Sequence, residues 1–375
     1  MEKKRIVWIT PDYFYDTDSA VVDSLCRYYE IRWYVVWGKG SLLKKPTNKS
    51  IYKLIDVPYR NRDLRIIMFY ISLIKEIKEY NPAVLYNGCS GVPFFYPVLF
   101  LMFNRHRIIH EGHEIDPYVS IEHDQLSYSD MLEVSYSKFY LRRVGHTHVF
   151  SKHSEVRFRE LYPGRQCTYV PMVPKNFGEP KKKNDHGNKT VFLFFGKVYR
   201  TLKRFDLLLD AFLALDETHS QKAELWVYGG CGGEERLKYE KMIKGHDNIK
   251  VKFDFIPDDM IPMLFSSASY LVQPYQKITQ SGPTMIAYNY NLPVIGSNIE
   301  GFKERIEDGI TGFLFEKDNV EDLKRVLESC IEQKESEYYT IKANLKSFVE
   351  QEYSKKTVIQ KYCDMFDNFI KTNIK

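Results

Sequence analysis

Between Phe195 and Phe205 the chain sets Lys197, Arg200, Lys203 and Arg204 on one loop with Gly196, so four cations follow the apolar run Val191–Phe195. Cations at a strand's carboxyl end neutralise a diphosphate; a solvated basic loop is the alternative. After the apolar run Leu225–Tyr228, Gly229 and Gly230 let backbone turn sharply or approach a ligand. A third segment, residues 277–297 (KITQSGPTMIAYNYNLPVIGS), follows a strand that ends near Val272. Ser281 is a good N-cap, Gly282 and Pro283 suit the first helical turn, and Thr284 adds a hydroxyl there. First-turn N–H groups and the helix dipole favour an anion. No Asp or Glu occurs from Tyr275 to Ser297, so nothing in the segment repels a phosphate, and Gln280 is a further polar group beside the turn.

The first half offers His110, in RIIHEGHEIDPY, as a candidate catalytic residue and His113 as a candidate acceptor contact. His110 directly follows a strand and is expected to face a cleft; satisfaction by Glu111 or Glu114 is the competing reading. Asp16, Asp18 and Ser19 lie after the first strand and are candidate acceptor contacts.

These residues need a frame, and the apolar pattern supplies one. Arg5–Thr10, Ile31–Trp37, Ala83–Tyr86, Arg107–His110 and His148–Ser151 read as strands, with helical stretches at Ala20–Tyr29 and Leu64–Glu79. Residues 178–189 are polar, charged and aperiodic and read as a linker. Val191–Phe195, Leu225–Tyr228, Ile249–Phe253, Tyr270–Gln273 and Val294–Ile295 then begin a second series. Strands alternating with helices predict parallel βαβ units. The expected fold is α/β, two Rossmann-like domains facing a cleft: residues 1–178 bind acceptor, 190–350 bind nucleotide sugar, and 351–375 form a helix packing back on the first domain. Ligands of such sheets bind beyond the strands' carboxyl ends. The first such loop contains no glycine, so the GxGxxG fingerprint of nicotinamide and flavin enzymes is absent.

With 375 residues, 44% hydrophobic and 27% charged, the chain is globular and long enough for two cores. Its six cysteines form no CxxC pair, which predicts free thiols in a reducing compartment. The basic N-terminus is read as a first strand and not a signal peptide. No apolar run reaches the ~18 residues that span a bilayer. Val92–Phe103 comes nearest and reads as a buried helix or one dipping into a membrane face. Residues 1–178 hold 25 Lys+Arg against 19 Asp+Glu, and seven of the ten histidines. A basic first half, including the helix from Leu64, suits an anionic partner such as a phospholipid surface or a diphosphate-linked acceptor. No basic run interleaved with aromatics suggests nucleic acid.

Residues 191–328 resemble the nucleotide-sugar-binding domain of the retaining GT-B glycosyltransferases (glycosyl transferases group 1). The resemblance rests on FFGKVYRTLKRFDLLLDAF, ELWVYGG, NIKVKFDFIPDDMIPMLFSSASYLVQPY and the cadence LPVI…G…E…DGITGFL. In the first half only the layout matches, with His110-Glu111 similar to the family's His-Asp turn. The resemblance implies sugar transfer from a nucleoside diphosphate sugar with retention and without a metal or other cofactor. It gives Lys203, with Lys197 or Arg200 as partner, the role of stabilising the leaving diphosphate. Gly229, Gly230, Gln280, Ser281, Gly282 and Thr284 would hold the donor. The family's paired glutamates fall on Ile278 and Ile286, so their sugar and ribose contacts are missing; a QSG turn marks a variant of the family. Asp16-Thr17-Asp18 matches the DxD motif of metal-dependent GT-A transferases in form alone, and no metal is expected there.

The expected function is a hexosyltransferase acting on a saccharide, a polysaccharide precursor or a lipid-linked acceptor, in the cytoplasm and in possible contact with the inner membrane face. A binding protein without turnover and a nucleotide-sugar epimerase are the alternatives.

Overall fold

The computed structural model describes residues 3–38, 52–59, 63–88, 95–113, 115, 137–181, 189–198 and 202–373. The chain divides into two compact units: Met1–Val173 together with Lys355–Lys375, and Pro174–Ser354.

The first unit is built on seven strands: β1 (Arg5–Pro11), β2 (Glu30–Trp37), β3 (Tyr52–Asp56), β4 (Val84–Asn87), β5 (Ile108–Glu111), β6 (His146–Val149) and β7 (Cys167–Tyr169). They form one sheet in the order β3-β2-β1-β4-β5-β6-β7, every pairing parallel. β1 reads as a continuous apolar run because both its faces are covered. Helices Arg65–Tyr80 and Phe95–Met102 cover one face through Ile66, Tyr70, Ile74 and Leu99. Helix Tyr15–Leu25 and the last helix, Lys355–Asn373, cover the other through Val22, Val358, Tyr362 and Phe366. The last helix repeats apolar residues at 358, 362, 366 and 369, so one stripe faces the sheet. Phe366 is fully buried there and meets the rings of Trp8 and Tyr86. Phe366→Ala is expected to cost about 3–5 kcal/mol, read as a lower urea midpoint with unchanged slope.

The second unit has six strands: β8 (Thr190–Phe195), β9 (Ala223–Tyr228), β10 (Ile249–Lys252), β11 (Tyr270–Gln273), β12 (Val294–Ser297) and β13 (Gly312–Phe315). Their order is β10-β9-β8-β11-β12-β13, again parallel throughout. Strand order reverses between β1 and β4 in the first sheet and between β8 and β11 in the second. These are the topological switch points, where loops splay apart and leave a crevice.

Three strands, β3, β7 and β13, were not expected from the sequence. All lie at sheet edges and are three to five residues long, too short to show a period of their own. The helix expected at Ala20–Tyr29 begins earlier, at Tyr15, and ends at Leu25; Asp16 and Asp18 stand in its first turn, where acids suit the dipole. No helix among the described residues is long and apolar enough to cross a membrane. The apolar run from Val92 forms a helix over Phe95–Met102; residues 92–94 lie outside the described residues.

Candidate functional site

At the second unit's switch point, the loop after β8 meets the loops after β9 and β11. Gly196 N–H donates to Tyr228 O at 2.9 Å, and Val198 N–H to Gly230 O at 2.8 Å, so the glycine loops lie side by side. Gly229 has φ +149, and a Cβ placed on it would stand 2.0 Å from the Gly196 carbonyl oxygen. Only glycine fits this crossing. The Lys203 ammonium is half-buried beside Gly196, 3.0 Å from where a Cβ on that residue would be, and 5.1 Å from the centre of the Tyr275 ring. A fixed cation therefore stands at the carboxyl end of β8. Lys197 is exposed on the same loop; Arg200 lies outside the described residues. The neighbouring Arg204 is held internally by Asp206 and Asp318.

After β11, Ser281 caps helix Gly282–Asn289, its Oγ accepting from Thr284 N–H at 3.1 Å. The same Oγ accepts from Gln273 Nε2 at 2.8 Å, while the Thr284 hydroxyl donates to Gln273 Oε1 at 2.5 Å. All three residues are buried. The Ser281 and Thr284 hydroxyls, expected to touch a donor, are thus turned into the fold: Gln273, on the last residue of β11, offers both a donor and an acceptor and ties the turn to the sheet. Gly282 and Gln280 are half-buried at the turn, and the Gln280 Oε1 is itself buried. Buried Arg305 secures the approach, its guanidinium donating to the Gly301 and Thr279 carbonyls. Ile278, at the first missing-glutamate position, packs so closely on Gly301 that a Cβ there would lie 2.5 Å away; Ile286 is buried.

In the first unit, the carboxyl ends of β1, β4, β5 and β6 enclose a polar cluster. Asp18, read from sequence as an acceptor contact, is 1% exposed and faces inward. Its Oδ2 accepts from Trp8 Nε1 at 2.9 Å and from the Thr10 hydroxyl at 2.5 Å. Trp33 Nε1 donates to the Thr10 oxygen at 2.8 Å, which commits the Thr10 proton to Asp18. Asp16 is exposed, and Ser19 is half-exposed with its hydroxyl on the Asp16 carbonyl. His110 is buried edge-on against Tyr96 and Tyr140. It does not project beyond the strand, because its position on β5 points it into the face covered by helix Phe95–Met102. His113, two residues past the strand, stacks on Phe14 with 3.7 Å between ring centres. Its Nε2 lies 3.1 Å from Glu111 Oε1. From the sequence, Glu111 is both a neighbour able to satisfy a histidine and part of the turn similar to the family's His-Asp turn; its full burial at the end of β5 is visible only in the structure.

Below them, His148 Nε2 donates to the Val170 carbonyl at 2.8 Å, so Nδ1 is the acceptor and Tyr86 OH donates to it at 2.6 Å. Burial lowers the His110 and His148 pKa values from 6.5 to about 3, and that of His146 to about 4. Burial pushes Glu111 from 4.5 up to about 8, opposed by the adjacent Tyr86 hydroxyl. Burial, then repulsion from Glu111, raises Asp18 as well. The pH consequence has two signs. Below about pH 6.5 the unfolded histidines bind protons that the folded ones refuse, so stability falls as the solution is acidified, by about 1.4 kcal/mol per pH unit per proton difference. Glu111 acts oppositely: its contribution is complete below the unfolded carboxyl pKa of 4.5 and is lost as pH rises to about 8. A urea-midpoint titration is expected to peak near pH 6.5, with the alkaline limb the steeper, because above pH 6.5 the two carboxyls act alone while below it they offset two of the three histidines.

Residues 189–333, inside the second unit, match the family described as Glycosyl transferases group 1. Among solved structures, the chain is similar to sucrose-phosphate synthase from Thermosynechococcus elongatus, with a TM-score of 0.78 at 14% identity over 99% of this chain and 100% of that one. It is similar also to Anabaena Alr3699/HepE in complex with UDP and glucose, with a TM-score of 0.72 at 16% identity over 97% of this chain and 100% of that one. The fold is therefore GT-B: two α/β units, each on a parallel sheet. An uncharacterized glycosyltransferase of Methanocaldococcus jannaschii, MJ1069, is 25% identical over 216 residues, covering 56% of this chain. The match covers 52% of that relative, so it spans about half of its length.

Proposed function

We propose that the protein is a glycosyltransferase that moves a sugar from a nucleoside diphosphate sugar to a saccharide or lipid-linked saccharide acceptor, with retention and without a metal. The observation that carries this reading is the half-buried Lys203 ammonium at the carboxyl end of β8, beside Gly196 and the Gly229–Gly230 backbone. As the bond from the sugar to the diphosphate breaks, negative charge grows on the leaving phosphate. A fixed cation in a partly dry pocket stabilises that charge more than water does. Lys197 or Arg200 would be its partner, and the Gly282 backbone at the start of the next helix adds an N–H group to the same task. Asp16, Ser19 and His113 would face the acceptor or donor sugar. No dinucleotide fingerprint or cofactor is called for. A UDP-glucose donor is the first to test, since the similar Anabaena protein was solved with that compound.

The test is a donor screen that follows release of free nucleoside diphosphate from UDP-, GDP- and ADP-sugars with saccharide acceptors. Consumption of one donor class supports the reading; no turnover with any donor and no nucleotide-dependent rise in melting temperature removes it. Ile278 and Ile286 favour a second reading, a nucleotide-sugar binding protein without turnover, which binding without release would support. Retention is checked by the anomeric configuration of the product. Work on a polysaccharide or lipid-linked acceptor in the cytoplasm, at the inner membrane face, belongs to the same reading; the basic first half supports it.

A further inference from the structure

We propose that Gln273 is a positioning residue that sets how the turn after β11 shares its protons. It leaves Ser281 with one O–H to give, and the acceptor of that proton is a phosphate oxygen of a nucleoside diphosphate. The proton order rests on geometry within the second unit; the phosphate rests on the transferase reading above.

A side-chain amide has a donor side and an acceptor side, so its direction decides which neighbour gives and which receives. The two contacts of Gln273 differ in length. Thr284 Oγ1 lies 2.5 Å from Oε1, which suits an O–H donor to oxygen and is too short for an N–H donor. Ser281 Oγ lies 2.8 Å from Nε2, which suits an N–H donor. The Thr284 proton is therefore spent on Gln273, and the Gln273 amide gives a proton to Ser281. Ser281 Oγ also accepts from Thr284 N–H at 3.1 Å, as the cap of helix Gly282–Asn289. A serine oxygen has two lone pairs, and both are now used. Its own proton lies in the remaining tetrahedral direction, away from Gln273 and from the helix's first turn. There it meets no acceptor among the described residues.

Water does little for this donor, because Ser281 is 4% exposed and Gln273 1%. A buried donor without a partner is costly. Capping needs only an oxygen, which an aspartate supplies with no proton to place. The fold keeps a hydroxyl here, and its surroundings favour a negative acceptor. First-turn N–H groups and the helix dipole attract an anion, and no Asp or Glu occurs from Tyr275 to Ser297. A hydrogen bond to a charged oxygen is also roughly twice as strong as one between neutral groups. Gln273 sits behind the turn and acts only through Ser281.

The experiment uses full-length protein with UDP as probe, and reads affinity by calorimetric titration. Gln273→Glu still ties the turn to β11, but it sets an oxygen opposite Ser281 and so draws the serine proton inward. Gln273→Glu and Ser281→Ala are each expected to weaken UDP binding by about 10- to 100-fold, as loss of a hydrogen bond to a charged group does. The double variant is expected to bind no more weakly than the worse single one, because each change removes the same proton. Repulsion by the new carboxylate, acting alone, would add in full to the Ser281→Ala loss. The proton order is read without ligand, from protein carrying nitrogen-15 in its glutamine side chains. The Gln273 signal is identified by its loss in Gln273→Leu; one Nε2 proton is expected downfield in the wild type and to move upfield in Ser281→Ala. If Gln273→Glu fails to fold, Ser281→Ala and the amide signal still decide. Unchanged UDP affinity in Ser281→Ala, full additivity in the double variant, or an unmoved amide signal overturns the proposal. If the wild type binds none of UDP, GDP and ADP, the transferase reading falls and the phosphate with it, while the amide signal still judges the proton order.

Discussion

Lys203→Ala is expected to abolish the rise in melting temperature that a nucleoside diphosphate gives, and to lower sugar transfer by about 100- to 1,000-fold. The two effects come from one cause. The ammonium stands beside Gly196, half out of water, and its other near neighbour is the face of Tyr275. An exposed cation–π contact contributes only about 0.5–1 kcal/mol, so the unliganded protein is expected to melt close to the wild type. What the variant loses is the charge that meets a phosphate. Differential scanning fluorimetry with UDP, GDP and ADP, followed by initial rates on the best donor, checks both halves. Parallel alanine variants at Lys197 and Arg200 identify the partner: the one that weakens nucleotide binding shares the phosphate. A Lys203→Ala protein that still gains full thermal protection from the nucleotide would sink the proposed role.

The second large effect is expected at Gly229. Alanine there adds a methyl 2.0 Å from the Gly196 carbonyl oxygen, a backbone atom that cannot swing aside, and imposes φ +149 on a residue with a side chain. Strain of this kind costs about 1–3 kcal/mol before any clash is counted. Relief requires the β8 and β9 loops to part, which breaks the Gly196 N–H bond to Tyr228 O. Because Lys203 lies against Gly196, the cation moves with the loop. Gly229→Ala is therefore expected to lower both the melting temperature and nucleotide affinity. Gly230→Ala, at an exposed glycine with open space where the methyl would go, is expected to change stability little. Calorimetric unfolding and UDP titration of the two variants check the contrast; equal behaviour would mean that the crossing at Gly229 is not what shapes the loop.

Much of this was legible in the residue order. Apolar runs such as Val191–Phe195, separated by helical spacing, call for parallel strands covered on both faces, and two series of them call for two sheets. Ser281 before Gly282-Pro283 announced a helix start, because an N-cap acts on its own first turn. Gly229 marked a sharp turn for an equally local reason. Edge strands β3, β7 and β13 escaped because segments of three to five residues are made strands by their neighbours in space.

Side-chain direction was decided by tertiary structure alone. Asp18 reads as a polar residue in a surface loop, yet Trp8, ten residues earlier in the chain, and Thr10 draw it inward. Thr284 reads as a hydroxyl offered to a ligand, yet Gln273 takes it, since β11 ends beside the helix start. Of two histidines three residues apart, His110 is consumed by the Tyr96–Tyr140 face and His113 meets Glu111. The sequence by itself determined most of the strands, the turns and the cation-bearing loop, because these follow from local periodicity and backbone chemistry. Which polar groups point outward depended on partners brought close by the sheets, and a buried hydrogen bond is decided by distance in space, which sequence separation does not encode.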